Sequence, residues 1–287
     1  MKKHEVKDHA PSYLPESAEW ELVWADEFDG TELDTTKWSY RTNFWGREFE
    51  AYTDQGVILD GNSHVELHRT ERDGFYVSPQ LQTGCLSYDV PCDRTKRPPS
   101  GNDPFWLIGP LEEPKFQHRY GYYECRCKMQ KYPEQMWSAF WTQAPGIGSR
   151  FEPEWCGVET DIFEYFHDGQ ATTGNIMGGY ATQFKADGRV KYNLEETEDG
   201  WHYFGMDWSP EGYVFYCDGK EVSRCNAHVS HVPQFIMLST EVRGYRRIQQ
   251  MKAKGVDLKE AKFAVKGDFV DDAFIVDFVR VYDKVSK

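Results

Sequence analysis

The segment Glu159-Thr160-Asp161-Ile162-Phe163-Glu164 sets three carboxylates within six positions, between Val158 and the aromatic pair Tyr165 and Phe166. Flanked and interspersed with β-branched and aromatic residues, it reads as a strand. Side chains alternate between the faces of a strand, so Glu159 and Asp161 point one way and Glu164, five positions after Glu159, points the other. One inserted residue, a β-bulge at Ile162 or Phe163, would bring all three acids to one face and leave Val158 and Thr160 opposite. Carboxylates held a few ångströms apart cannot all ionise at ordinary pH, so one keeps its proton near neutrality. Cleavage of a glycosidic bond by double displacement uses such a pair. An ionised carboxylate attacks the anomeric carbon and a protonated one donates to the leaving oxygen, the two standing roughly 5–5.5 Å apart. Two other readings share the residues. One is an exposed acidic strand edge; the other is a calcium site, although calcium usually takes its oxygens from a flexible loop.

The remainder of the chain must supply a scaffold for that strand. Its 287 residues can bury a sizeable core in one large or two small domains. Hydrophobic residues make up 39% and aromatics 16%, and no apolar run approaches the roughly 18–20 residues of a membrane span. A net charge of −14 without a Lys/Arg-rich segment opposes nucleic acid and anionic membranes as partners. Seven cysteines, Cys85, Cys92, Cys125, Cys127, Cys156, Cys217 and Cys225, include no CxxC pair, which fits reduced thiols better than disulfides or zinc. The first twenty residues contain no apolar h-region. This points to a cytoplasmic protein, or to a secreted one if a leader has been removed ahead of Met1.

Short segments rich in Val, Ile, Tyr, Phe and Trp, separated by Gly, Pro, Asn and Asp, give the pattern of an all-β sandwich or barrel. In residues 120–129, Tyr123, Cys125, Cys127 and Met129 alternate with Tyr122, Glu124, Arg126 and Lys128, which predicts a strand with one buried face. Asp218-Gly219 predicts a tight hairpin turn. Residues 93–116, rich in proline and glycine, read as a long loop, and residues 245–262 as a weakly helical excursion between strands. The N-terminal tail to about Pro15 reads as mobile. No repeat, phosphate-binding glycine loop or nucleophile elbow occurs.

The chain resembles glycoside hydrolase family 16, the laminarinase, agarase and mixed-linkage glucanase group. Residues 157–166, "GVETDIFEYF", are similar to the family's bulged E-x-D-x-x-E strand; "LVWADEFDG" with "LDTTKW" resembles its opening, "YGYYECRCKM" and "MWSAFW" the strands before the catalytic one, and "WHYFGMDWSPEGYVFYCDGKEV" and "VDFVRVYD" its closing strands. The resemblance runs from about Glu19 to Asp283. It implies a jelly-roll β-sandwich of the concanavalin A-like kind with a concave substrate cleft, a single catalytic domain over 19–287, and an N-terminal extension over 1–18. It further implies Glu159 as nucleophile, Asp161 as its helper and Glu164 as acid/base in a retaining endo-β-glycosidase without a cofactor. The implied partner is a polysaccharide or oligosaccharide, most readily a β-1,3-glucan, with galactan cleavage or plain carbohydrate binding as alternatives, and the protein is expected to be a monomer.

Substrate contacts follow from chemistry and resemblance together, because sugars stack their apolar faces on aromatic rings and need fixed partners for their hydroxyls. Trp137 and Trp141, four apart, point the same way, and the family pattern puts them in the cleft, with core as the alternative for Trp141. Trp45, Arg47 and Glu48 are candidates for the glycone end, Arg47 as a ligand for hydroxyl or sulfate, and Trp106 is a candidate cleft wall. Two departures stand out. Ile176 and Met177 occupy places where many members carry a His-Trp pair, and Gly46 and Arg47 stand where laminarinases often carry asparagines. Along the last strand Asp277 is expected to share a face with Ile275, Val279 and Val281, so it needs a partner. The resemblance offers a structural calcium held by Glu27 and Asp277; a salt-bridged aspartate is the simpler alternative.

Overall fold

The computed structural model describes residues 1–44, 46–72, 75–91, 112–150, 152–167, 169–178, 185–242, 255 and 271–285. Strands of period-two character assemble into two antiparallel sheets. The back sheet runs in the order β19 (Lys220–Cys225), β18 (Gly212–Cys217), β17 (His202–Ser209), β10 (Gly121–Lys128), β21 (Ala273–Lys284), β7 (Val65–His68) and β6 (Val57–Leu59), with β3 (Trp20–Asp26) also paired to β21. The site sheet runs β15 (Lys185–Asp187), β14 (Asn175–Gly178), β12 (Glu159–His167), β11 (Met136–Gln143), β20 (Phe235–Val242), β9 (Phe75–Gln82) and β4 (Ser39–Tyr40). Four short strands complete it: β13 (Gln170–Thr173) joins β12 and β16 (Val190–Asn193), while β5 (Tyr52–Thr53) and β8 (Thr70–Arg72) lie along β9. Two further strands, β1 (Lys2–His4) and β2 (Ser12–Leu14), pair with each other, and α1 (Pro153–Cys156) is a single turn just before β12. The fold is the expected all-β jelly-roll sandwich.

The inward faces form one core. Tyr123, Cys125, Cys127, Phe204, Met206, Val279 and Val281 come from the back sheet, and Leu81, Phe140, Ile162, Phe163, Ile236 and Leu238 from the site sheet. Phe163 stacks on Phe204 with ring centroids 4.0 Å apart, tying the two sheets together directly beneath the carboxylate strand. The predicted hairpin turn is present: Asp218 and Gly219, with φ of 48° and 75°, close β18 onto β19. The six described cysteines are free thiols, and four of them are buried.

Two expectations are corrected. The N-terminal tail is a hairpin docked on the back sheet, because the outer face of β10 and β21 is itself too apolar to face water. Leu14 packs with Tyr122 and Tyr282, the Ser12 hydroxyl bonds the Tyr282 hydroxyl at 2.7 Å, and the Tyr13 N–H donates to Glu124 at 2.8 Å. Beneath it the Tyr122 phenol lies across Gly205 of the neighbouring strand β17, where an added Cβ would sit 1.9 Å from the hydroxyl. The second correction concerns Asp277. A bulge in β21 opposite Arg126/Cys127 skips this residue, so Val276 and Val279 both face the core while Asp277 faces outward and bonds Arg126. Of the long loop read over 93–116, residues 93–111 lie outside the described residues; so does the helical excursion over 245–262, apart from Gly255.

Candidate active site

The bulge that strand parity demanded is present. Across β11 and β12, Phe140 faces Phe163 and the next residue, Trp141, faces Asp161, which leaves Ile162 as the extra residue. Ile162 and Phe163 both sink into the core, so the alternation restarts and Glu159, Asp161 and Glu164 share the outer face. Opposite them, Gly174 at φ 68° separates β13 from β14, and its N–H donates to the Asp161 carbonyl at 3.0 Å. A side chain there would be strained by that backbone conformation and would meet the Gly188 carbonyl and the Phe215 ring.

Each acid receives a hydrogen bond from a neutral neighbour. The Gln143 amide donates to Glu159 at 2.6 Å, the Asn175 amide to Asp161 at 2.7 Å and the Thr172 hydroxyl to Glu164 at 3.0 Å. Glu159 is half-buried, whereas Asp161 and Glu164 are 4% and 6% exposed. Burial pushes the Asp161 carboxyl well above the usual carboxylate range, and the charges of Glu164 and then Glu159 push it further; the Asn175 hydrogen bond and the Arg189 charge pull the other way. Crowding and burial therefore raise the affinity of this cluster for protons, as a site that needs a protonated acid beside an ionised one requires.

The two tryptophans lie on the same face as the acids. Trp137 is half-buried and packs on Phe166 with centroids 4.7 Å apart. Trp141, 7% exposed, donates its indole N–H to Ser239 at 3.0 Å and packs among Leu86, Tyr88, Ile147, Phe235 and Met237, a second apolar cluster lying on the site sheet. It is both a face residue and a core residue, since the segments around residues 84–91 and 144–148 cover that end of the sheet. Arg47 and Glu48 are exposed in a tight turn where Asn43 bridges to Glu48. Trp45 and Trp106 lie outside the described residues. Of the two departures in β14, Met177 pairs with Glu159 on the site face, while Ile176 is wholly buried in the core.

Sequence reasoning missed the polar partners. Gln143 continues the parity of Trp137, Ala139 and Trp141, so a period-two count along β11 finds it. Thr172, Asn175 and Ser239 reach the acids and Trp141 from other strands, and no spacing within one segment reveals them. Further along the site face a buried chain runs from Asp89 through Arg41 and Gln80 to Glu241. Arg41 donates to Asp89 at 2.6 Å and to Gln80 at 3.1 Å, and the Gln80 amide and the Tyr52 hydroxyl donate to Glu241 at 3.2 and 3.3 Å. A cavity of about 210 Å³, lined by Arg41, Asp89, Gln82 and Cys85 among others, lies at this β9 edge and not over the carboxylate trio.

The expected calcium pair does not fit the ion. Both oxygens of Glu27 accept from the Arg280 guanidinium, at 2.8 and 2.7 Å, and Asp277 accepts from Arg126 at 2.6 Å. Calcium needs six to eight oxygens free of competing cations, and here each carboxylate is matched to a different arginine. This is the salt-bridged alternative.

A jelly-roll sandwich bearing three carboxylates on one bulged strand defines a class of carbohydrate-active domains, and comparison with known proteins places the chain within it. The profile of glycosyl hydrolases family 16 matches residues 101–260, more than half of the chain; the chain belongs to that family. A xylanase/beta-glucanase of Ruminococcus flavefaciens is 27% identical over 160 residues, covering 55% of this chain and 19% of that protein. Glucan endo-1,3-beta-glucosidase A1 of Niallia circulans is 24% identical over 219 residues, covering 72% and 29%. The chain thus spans less than a third of the length of either curated relative. Among solved structures, the endo-beta-1,3-glucanase of Pyrococcus furiosus superposes with a TM-score of 0.64 at 21% identity, covering 95% of this chain and 97% of that one.

Proposed function

We propose that the chain is a retaining endo-β-glycosidase whose substrate is a β-1,3-linked glucan. The observation that carries this reading is the bulge at Ile162, which brings Glu159, Asp161 and Glu164 to one face. In the first step the Glu159 carboxylate attacks the anomeric carbon while Glu164 gives its proton to the departing glycosidic oxygen, leaving a glycosyl ester on Glu159. In the second, Glu164, now ionised, takes a proton from water as that water attacks the same carbon and releases Glu159. Two inversions give net retention. Asp161 lies between the two glutamates along β12, held by the Asn175 amide, and its raised proton affinity, caused by burial and by the charges of Glu164 and Glu159, limits the negative charge of the trio. The Gln143 amide holds Glu159 in place. No cofactor takes part, and the working unit is one chain.

The β-1,3-glucan assignment draws on the Niallia circulans relative, named for that linkage. Half-buried Trp137 supplies apolar surface for a sugar ring on the face that carries the acids. The test is reducing-end release from laminarin, mixed-linkage glucan, agarose and carrageenan, with proton NMR of the first anomer released. Wild-type protein should release the β-anomer from laminarin, Glu159→Gln should show no turnover, and Glu164→Gln should fall roughly 10²–10⁴-fold. Initial release of the α-anomer, or unimpaired turnover by Glu159→Gln, would overturn the mechanism.

A further inference from the structure

We infer that Glu241 is a substrate-binding residue that makes this site selective for neutral glycans over sulfated or carboxylated ones; the inference rests on the glycosidase reading above. Glu241 faces Trp137 in the β11–β20 register and lies on the same face as the carboxylate trio. It stands two strand spacings from β12, about 10 Å across the sheet, and two residues along the strands from the level of Glu164, about 7 Å more, so a glycan that leaves Glu164 toward this end of the face reaches it within two or three sugar rings. Its carboxylate is half-buried and held from behind. Oε1 accepts from Tyr52 and from Gln80, and the Gln80 amide is oriented in turn by Arg41, whose guanidinium is held by Asp89. Tyr52, Gln80, Arg41 and Asp89 are all buried. Among the described residues, Oε2 of Glu241 carries no hydrogen bond.

The charge of that network is informative. Asp89 matches Arg41, and among the described residues no cation is paired with Glu241. Keeping Tyr52 and Gln80 satisfied would need only a neutral acceptor such as a glutamine. A carboxylate adds a strong acceptor for sugar hydroxyls, set beside the half-exposed ring of Trp137, and a repulsive charge against any anionic substituent. Hydroxyl-bearing neutral sugars satisfy both; sulfate esters and uronic acids meet like charge.

The experiment uses the full chain and its Glu241→Gln and Glu241→Ala variants. It measures kcat and KM on laminarin-derived oligosaccharides, and calorimetric binding of those oligosaccharides and of sulfated galactan oligosaccharides in the Glu159→Gln background. Replacing a charge-assisted hydrogen bond by a neutral one should weaken neutral-oligosaccharide binding and raise KM roughly five- to ten-fold. kcat should stay within about two-fold, and the neutral-to-sulfated preference should fall by a similar five- to ten-fold. A purely structural role would lower the melting temperature and leave that preference unchanged. Unchanged KM and preference in Glu241→Gln, with an active wild type, would overturn the inference and leave the glycosidase reading standing. Glu241-dependent binding without wild-type turnover would overturn the glycosidase reading alone. Absence of binding to either probe by any variant would overturn both.

Discussion

At the scale of single residues, Asp161 carries the tension between stability and chemistry. Its carboxyl is buried between two glutamates along one strand, and folding raises its pKa. For an acid the sign is fixed: folding favours the protonated form, so the site is least costly below the unfolded value near 4, and stability is lost as pH rises from there toward the folded value. Asp161→Asn removes that loss while keeping an acceptor for Asn175. The variant should therefore melt above wild type at pH 8, with the gap closing toward pH 4, while turnover falls. A melting difference independent of pH would show that the charge of Asp161 is not the cause. The acids themselves were legible because charge inside an apolar strand needs a reason, and parity alone located the bulge to within one residue. Their hydrogen-bond partners Thr172 and Asn175 were not, since they are contributed by β13 and β14.

At the scale of elements, the N-terminal hairpin shows how a surface element can cover a buried charge. Glu124 lies beneath it, fully buried, and burial lifts its carboxyl from 4.5 to about 7 in spite of the Ser12 and Tyr13 hydrogen bonds and the Arg280 charge. By the same sign, the contribution of Glu124 to stability is present below about pH 4.5 and lost through about pH 7, a difference of roughly 3 kcal/mol. Glu124→Gln should flatten the pH dependence of melting across that window and be more stable than wild type at pH 8; an unchanged slope would refute the assignment. The docked hairpin escaped the sequence reading because a polar start looks solvated. The clue was in β10, where Tyr122 and Glu124 alternate with an already apolar face, leaving a second face that needed a cover. The same outer surface holds the arginine pairs of Glu27 and Asp277. With both acids already matched, melting should be the same in calcium and in chelator, and a calcium-dependent rise would restore the metal reading.

At the scale of the whole molecule, order along the chain was more legible than parity within it. The motifs from Glu19 to Asp283 gave the jelly roll, whereas the bulge at Asp277 reversed the face assigned to that residue, because one unpaired residue in β21 leaves no mark in composition. The net charge of −14 adds a long-range term to the local selectivity of Glu241. Such a field acts on charged partners and not on neutral ones, and salt screens it, the Debye length falling from about 10 Å at 0.1 M to about 3 Å at 1 M. KM for a neutral β-1,3-glucan should therefore vary by less than about two-fold between about 0.02 and 0.5 M sodium chloride, while the weak binding of a sulfated galactan should strengthen several-fold over the same range as repulsion is screened. Equal salt dependence for the two polymers would mean that the protein's charge does not reach its cleft, and selectivity would then rest on contacts such as Glu241 alone.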